Sequence, residues 1–548
     1  MRLKHPITYL VIAALFALAP LISNNYFDDS HDTPFHIQSV IGLEQGSDNI
    51  FEIFNAKTFE YISYDYGYGE GVFYPQLPHQ IAATILHFGK HFGMDVLDAL
   101  KVTNFLGLAL SGIFMYLLMV RIAKNKVAAF LSALFYMTAP YHLGDIFIRD
   151  AFNESFFFTF IPLAILSLHE LLSDNYRTFF ICFVVGFVGL INTHLVMTVF
   201  FILFLVAASL ISFKQLFTWQ RLRCLILATI IVSVIVLPFI IPMIENKQNY
   251  QYAVFADSYM YTMEKINASR VSLMRFIVPN DNTNVIPYNF NLLLLVLVSL
   301  SILNYRRLIN KQSRFLIIFA TVSGMLSIIM MSDFISWEHY PSILRNIQFP
   351  WRLEIFTIFG ASALAGLALN HYKAYLNTSL IMLCVLSCVA SILFVQARQD
   401  YRTYDISSVK YEYADYYPAQ LLDAPEYLPN RPHEVMITSG DATISNYIDN
   451  GNDGLSFDIN NVDGDITIEI PRLYYLGYRV AVNDSSDVDY SVSPNGLVSI
   501  SLGQDAHVSV KYVGTASSNI ATAFSILTLF SFVSWVSFSS IRKSKKVV

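Results

Sequence analysis

The sequence predicts a polytopic α-helical membrane protein of about twelve transmembrane helices, with an extracytoplasmic β-sandwich domain. Three observations carry that fold class. The 548 residues are 55% hydrophobic and 14% charged, with a mean hydropathy of +0.48, where a soluble domain has roughly 25% charged residues. Runs such as 101–120, 195–213, 224–244, 315–331 and 519–541 reach or approach the roughly 20 apolar residues that cross a bilayer, and backbone pairing in lipid makes them helices. Basic clusters fall at alternate ends of successive runs: Arg2/Lys4, Arg121/Lys124/Lys126, Lys214/Arg221/Arg223, Arg306/Arg307/Lys311/Arg314 and Arg542/Lys543/Lys545/Lys546.

The first run, Pro6 to Ser23, follows Arg2 and Lys4 and contains Ala17-Leu18-Ala19. Pro20 directly after that triplet disfavours signal cleavage, so an uncleaved first span is expected. The stretch 24–98 is too polar to cross and forms a long outer loop. Spans follow near 100–120, 127–143, 156–171, 178–193, 195–213 and 224–244, then an outer segment 245–287. Further spans are expected near 288–304, 315–331, 353–370, 376–396 and 519–541. The positive-inside rule places both termini in the cytoplasm. Of the 41 acidic residues, only Glu170 and Asp174 then fall inside, an independent support for the topology. Cys182, Cys224, Cys384 and Cys388 all lie in expected spans, so the exposed parts hold no disulfide framework.

Residues 397–518 change period. Leu455-Ser-Phe-Asp-Ile, Asp465-Ile-Thr-Ile-Glu-Ile, Tyr478-Arg-Val-Ala-Val and His507-Val-Ser-Val-Lys-Tyr-Val alternate apolar with polar, which is a strand pattern. Asn450-Gly451, Asp463-Gly464 and Asn495-Gly496 separate them as turns, and a small antiparallel sandwich outside the membrane is expected. The chain thus divides into a membrane domain, 1–396, an outer domain, 397–518, and a last span with a basic tail, 519–548.

Two segments bring chemically able side chains to the outer membrane surface. Asp28-Asp29-Ser30-His31-Asp32-Thr33-Pro34-Phe35-His36 gathers carboxylates and imidazoles that can deprotonate a hydroxyl or hold a divalent cation. Its plainer reading is an acidic solvated loop. Tyr141-His142-Leu143-Gly144-Asp145 followed by Arg149-Asp150-Ala151-Phe152-Asn153-Glu154 puts Asp150 and Glu154 four apart, one face if the segment is helical, beside an arginine that can grip a phosphate. An interfacial ion-paired turn is the alternative. His194, at the turn between two spans, and Arg352, in Gln348-Phe349-Pro350-Trp351-Arg352, either border a cavity or serve as a satisfied histidine and an interfacial anchor. The glycines of Tyr66-Gly67-Tyr68-Gly69 read as turn formers, because no strand–helix context supports a phosphate loop.

At His31-Asp32-x-x-Phe35-His36, Tyr66-Gly-Tyr-Gly, Phe73-Tyr74-Pro75-x-Leu77-Pro78, Ala139-Pro140-Tyr141-His142 with Arg149 and Glu154, Gln348-Phe-Pro-Trp-Arg352 and Glu426-Tyr427-Leu428-Pro429, the chain resembles bacterial membrane proteins labelled 6-pyruvoyl-tetrahydropterin-synthase-related. That label implies no pterin chemistry. Their relatives among GT-C-type glycosyltransferases share the plan of a first outer loop with an acidic catalytic residue, many spans and an outer C-terminal domain. The resemblance implies transfer of a sugar from a polyprenyl-phosphate carrier to a cell-envelope acceptor outside the bacterial cytoplasmic membrane. Asp32 matches the first-loop aspartate, with Asp28 and Asp29 as the other candidates for the catalytic base. His31, His36, Arg149, Asp150, Glu154, His194 and Arg352 are the expected substrate-binding residues.

Outer carboxylates at the bilayer border suit a substrate whose lipid tail stays in the membrane while its head reacts. The partners expected are a polyprenyl-phosphate-linked sugar, an envelope glycan acceptor and the bilayer itself, with no nucleic acid. A transporter or flippase of lipid-linked glycans is the alternative, and it would place ionisable residues within its spans, where few are read. A non-catalytic envelope scaffold is the third reading, in which the first-loop carboxylates are dispensable.

Overall fold

A computed structural model describes residues 4–23, 26–28, 32–216, 218–256, 262–278, 286–398, 401–403, 414–483 and 488–544, with the backbone alone at 26–28, 401–403 and 540–544. Among the described residues nine helices are long and apolar enough to cross a membrane: Pro6–Ser23, Val96–Ala123, Phe152–Leu172, Tyr176–Thr193, Trp219–Asn249, Arg314–Met331, Pro350–His371, Thr378–Gln396 and Ala516–Ser539. The chain is a multi-pass membrane protein. Shorter apolar helices, Lys126–Met137, Leu195–Ile211 and Leu292–Leu303, occupy three other expected spans.

Local chemistry shortens two of them. Thr138 ends the first, and Pro140, at a helix-opening position where its missing N–H costs nothing, starts the separate helix Pro140–Phe147. The Asn291 side chain caps Leu293 and Leu294 N–H, which moves the start of the third inward from 288.

The helices Phe152–Leu172 and Pro350–His371 are almost wholly enclosed by their neighbours, whereas Ala516–Ser539 lies on the rim. Small residues permit the close crossings that lipid-embedded helices need. A Cβ at Gly186 would stand 2.9 Å from the Ala164 backbone nitrogen, and one at Gly360 2.6 Å from the Ala320 carbonyl oxygen. At one end of the bundle Arg121 lies 3.5 Å from Glu170 and Arg221 3.0 Å from Asp174. The two acidic residues expected on the basic face are therefore matched to its arginines.

At the other end, the loop helices Thr33–Gln45 and Leu77–Gly89 pack on each other and on Val96–Ala123. The start of this loop, β1 (Tyr26–Asp28), pairs antiparallel with β2 (Tyr401–Thr403), and Gln396 Nε2 donates to the Ala17 carbonyl at 2.8 Å.

The C-terminal strands are β3 (Met436–Asp449), β4 (Leu455–Leu473), β5 (Tyr478–Val482), β6 (Ser491–Val492), β7 (Leu497–Leu502) and β8 (Ala506–Tyr512). They form one antiparallel half-barrel sheet rather than the expected sandwich. The long β4 is its spine: β3 covers one edge, while the other is shared, Leu455–Ile459 pairing with β8 and Ile466–Leu473 with β7. In the interval between those two partners, Asp505 Oδ1 accepts from Val462 N–H at 2.9 Å. Asp463-Gly464, read as a turn, lies within β4, with Gly464 at φ 73; β3 shifts register nearby, so the strand bends without ending.

The sheet clamps the first loop. Ser63, Tyr64, Asp65 and Gly67 all take positive φ (60, 59, 66 and 80), so the chain turns tightly at Tyr66. Leu473 N–H donates to the Tyr66 carbonyl at 2.8 Å, and Arg431 Nη1 donates to its hydroxyl at 3.1 Å. Arg472, 2% exposed, meets Glu60 at 2.7 Å and Asp449 at 2.6 Å.

Candidate functional site

Asp32 stands at the N-cap of helix Thr33–Gln45 with helical dihedrals and makes no capping bond, so its carboxylate is not spent on the helix. Pro34 helps to start this helix, and His36 N–H closes its first turn on the Asp32 carbonyl at 3.1 Å. The His36 ring is buried against Phe152, 5.5 Å between centroids, which brings the first loop against the start of helix Phe152–Leu172.

That helix start carries the ionic centre. Arg149 Nη1 donates to Asp145 Oδ1 at 2.9 Å and to Glu154 Oε2 at 2.8 Å. Arg352 Nε lies 3.1 Å from the same Glu154 oxygen, and Tyr141 donates its hydroxyl hydrogen to the other. The Arg149 guanidinium stacks over Trp351 at 4.2 Å from the ring centroid, and Arg352 lies 5.1 Å over Phe349. His194 is within electrostatic reach of Arg352, Glu154 and Arg149, and its own side chain faces Met197 N–H as the cap of helix Leu195–Ile211.

Asp150 and Glu154 do not share a helix face. Asp150 sits in a left-handed bend at φ 51 and the helix begins only at Phe152. The physical reason is that the bend turns Arg149 back toward Asp145 and Glu154, replacing the expected i,i+4 carboxylate pair with an arginine-centred network. Asp150 itself is buried, and its carbonyl faces His36.

Asp32, His36, Arg149, Asp150, Glu154, His194 and Arg352 are thus drawn to one place by chain segments distant in sequence. Asp29 and His31 lie outside the described residues, and Asp28 is described only in its backbone, paired with Tyr401. Among the described residues no three His, Cys, Asp or Glu side chains converge as metal ligands.

Three participants were not singled out as site residues from the sequence: Tyr74, Glu70 and His79. The Tyr74 phenol lies among Asp32, Glu70, Arg352 and Glu154. Burial keeps it protonated, ready to donate a hydrogen bond. Asn153 donates to the Pro75 carbonyl and fixes the bend at Tyr74 against the helix. Behind Tyr74, Glu70 and His79 are fully enclosed. Burial pushes the Glu70 carboxyl up to about 8, with Ser39 and Gln76 opposing, and lowers His36 to about 4 against the pull of Asp32. His79 is pushed well below the ordinary range by burial and by His36. The signal for Tyr74 was the Phe73-Tyr74-Pro75 motif; Glu70 and His79 carried none.

No curated protein matches the chain. Residues 3–427, which include every residue of this cluster, match the model of DUF6541, a family of unknown function, and the chain belongs to that family.

Proposed function

We propose that this chain is a membrane glycosyltransferase of GT-C type that moves a sugar from a polyprenyl-phosphate carrier to an envelope acceptor on the outer face of the bacterial cytoplasmic membrane, both termini lying inside. One observation carries the reading: two arginines share a carboxylate beside an aspartate and at the mouth of the helical bundle. Glu154 Oε2 accepts from Arg149 Nη1 and ion-pairs with Arg352 Nε, and the remaining guanidinium N–H groups are the donors for a phosphate. Bound there, the lipid phosphate would gain stabilisation as charge builds on it during departure of the sugar. Asp32 is the residue assigned to take the acceptor hydroxyl's proton, and the Tyr74 phenol the donor that orients a sugar or phosphate oxygen.

The enclosed position of Arg149, with Trp351 on its face, strengthens its charge by excluding water. A lipid tail would leave the site between helices, as the bundle's apolar surface allows. The test is purified protein with a synthetic polyprenyl-phosphate sugar beside the corresponding nucleotide sugar. Transfer from the lipid-linked donor is expected; transfer from the nucleotide sugar alone overturns the assignment.

A further inference from the structure

The first loop encloses a string of polar side chains that sugar transfer, as described, leaves unused. Ser39 Oγ donates to Glu70 Oε2 at 2.6 Å. His79 Nε2 lies 2.8 Å from His36 Nδ1, while His79 Nδ1 and Glu70 Oε1 stand 3.5 Å apart, neither hydrogen-bonded, a gap that must close slightly before a proton crosses it. None of the four side chains is more than 2% exposed. Polar groups enclosed this deeply are costly unless they act on one another. The string ends at His36 Nε2, a buried nitrogen that makes no hydrogen bond, one helical turn from Asp32.

We propose that Glu70, His79 and His36 form a buried proton relay for the Asp32 site, with His36 Nε2 as its open end and Glu70 as its proton store. The proposal rests on the transferase reading for the source of the proton. Asp32, having taken the acceptor's proton, gives it to His36 Nε2. The hydrogen on His36 Nδ1 passes to His79 Nε2, and the hydrogen on His79 Nδ1 passes to Glu70 Oε1. Asp32 O–H, His36 Nδ1–H and His79 Nδ1–H break; His36 Nε2–H, His79 Nε2–H and Glu70 O–H form. Both imidazoles remain neutral and exchange tautomers together. When product leaves, the reverse sequence returns the proton through Asp32.

The surroundings favour the loaded state below about pH 8 and the empty, proton-accepting state above it. Burial disfavours either imidazolium and favours a protonated Glu70. With Glu70 protonated, the Asp150 carbonyl faces the new His36 Nε2–H. Asp32 faces His36, and the Tyr74 ring lies 5.9 Å from that of His79. On the helix packed behind, Lys101 pairs with Asp98 at 3.7 Å, while Glu44 takes His87 and Lys90 further along the two loop helices. Arg352 and Glu154 reach the trio only across Tyr74.

Histidine ¹⁵N spectra of the full chain in nanodiscs, from about pH 6 to 9, test this directly. The His36 and His79 signals should stay those of neutral rings and switch tautomer together with a midpoint near 8, the Glu70 value. Glu70→Gln should freeze the switch, and His79→Asn should leave His36 in one tautomer throughout. Imidazolium signals in this range, or the same His36 switch in Glu70→Gln as in the native chain, overturn the relay. In the lipid-linked sugar assay, the rate should rise with pH through about 8, as Glu70 ionises and can accept the proton, and that rise should vanish in Glu70→Gln and return in Glu70→Asp. A tautomer switch without any turnover retires the transferase reading alone, and turnover without a switch retires the relay alone.

Discussion

Arg352 Nε lies 3.1 Å from Glu154 Oε2, the oxygen that also accepts from Arg149 Nη1. One carboxylate therefore sets the spacing of two guanidinium groups, one carried by the bend before helix Phe152–Leu172 and the other by the first turn of helix Pro350–His371. Replacing Glu154 by Ala takes the shared carboxylate from Arg352 and leaves Arg149 with Asp145 alone, a loss of about 3–5 kcal/mol for a broken buried pair. Thermal unfolding in detergent should show a clear drop, and Glu154→Gln, which retains an acceptor, a smaller one.

Arg149→Lys and Arg352→Lys keep the charge but lose the planar fork and the stacking on Trp351 and Phe349. Each should lower transfer from a polyprenyl-phosphate sugar by roughly tenfold or more, as for loss of a positioned donor to a developing anion. Native rates in both variants would remove the arginines from donor binding.

Asp32→Asn should abolish transfer while leaving expression and unfolding temperature unchanged, since the amide keeps the shape but accepts no proton at neutral pH. Asp29→Asn is the comparison. An active Asp32 variant with a dead Asp29 variant would move the base to the doublet.

The enclosed acid and imidazoles set the response to pH. Glu70 is raised from 4.5 to about 8, so the folded chain keeps a proton the unfolded chain releases; this stabilisation is complete below 4.5 and lost as pH rises toward 8. His36 is lowered from 6.5 to about 4, and its contribution is complete above 6.5 and lost as pH falls toward 4, with His79 acting in the same direction. The unfolding temperature should peak near 6.5, where the histidine terms are complete and the Glu70 term alone is falling. Glu70→Gln should remove the alkaline decline.

The clamp on the first loop is open to the same kind of measurement. Arg472→Ala strands Glu60 and Asp449 and should weaken docking of the sheet by about 3 kcal/mol. Gly69→Ala should act similarly, because its Cβ would stand 2.6 Å from the Tyr475 ring. Faster hydrogen exchange across 436–512 in both variants is the expected result.

Helical periodicity and basic clusters made the long spans legible, because both are properties of contiguous sequence. Helix ends were less so: the breaks at Thr138 and Asn291 depend on single caps. Alternation disclosed strands around 455–473 but not that β4 continues through Asp463-Gly464, since a bend and a turn share the same residue types. At the site, arginines and acids near span ends, Asp145 among them, could be named in advance, whereas Glu70 and His79 acquire meaning only from partners that the fold brings to them.

The pairing of β1 with β2 has a consequence for synthesis. Tyr26–Asp28 leave the ribosome early, but the strand that holds them, Tyr401–Thr403, and the guanidinium that holds Glu60, at Arg472, arrive only near the end of the chain. A nascent protein halted before residue 401 already contains most of its bilayer-crossing helices yet lacks the brace for the loop bearing Asp32. Bracing of the first loop is therefore completed only late in translation.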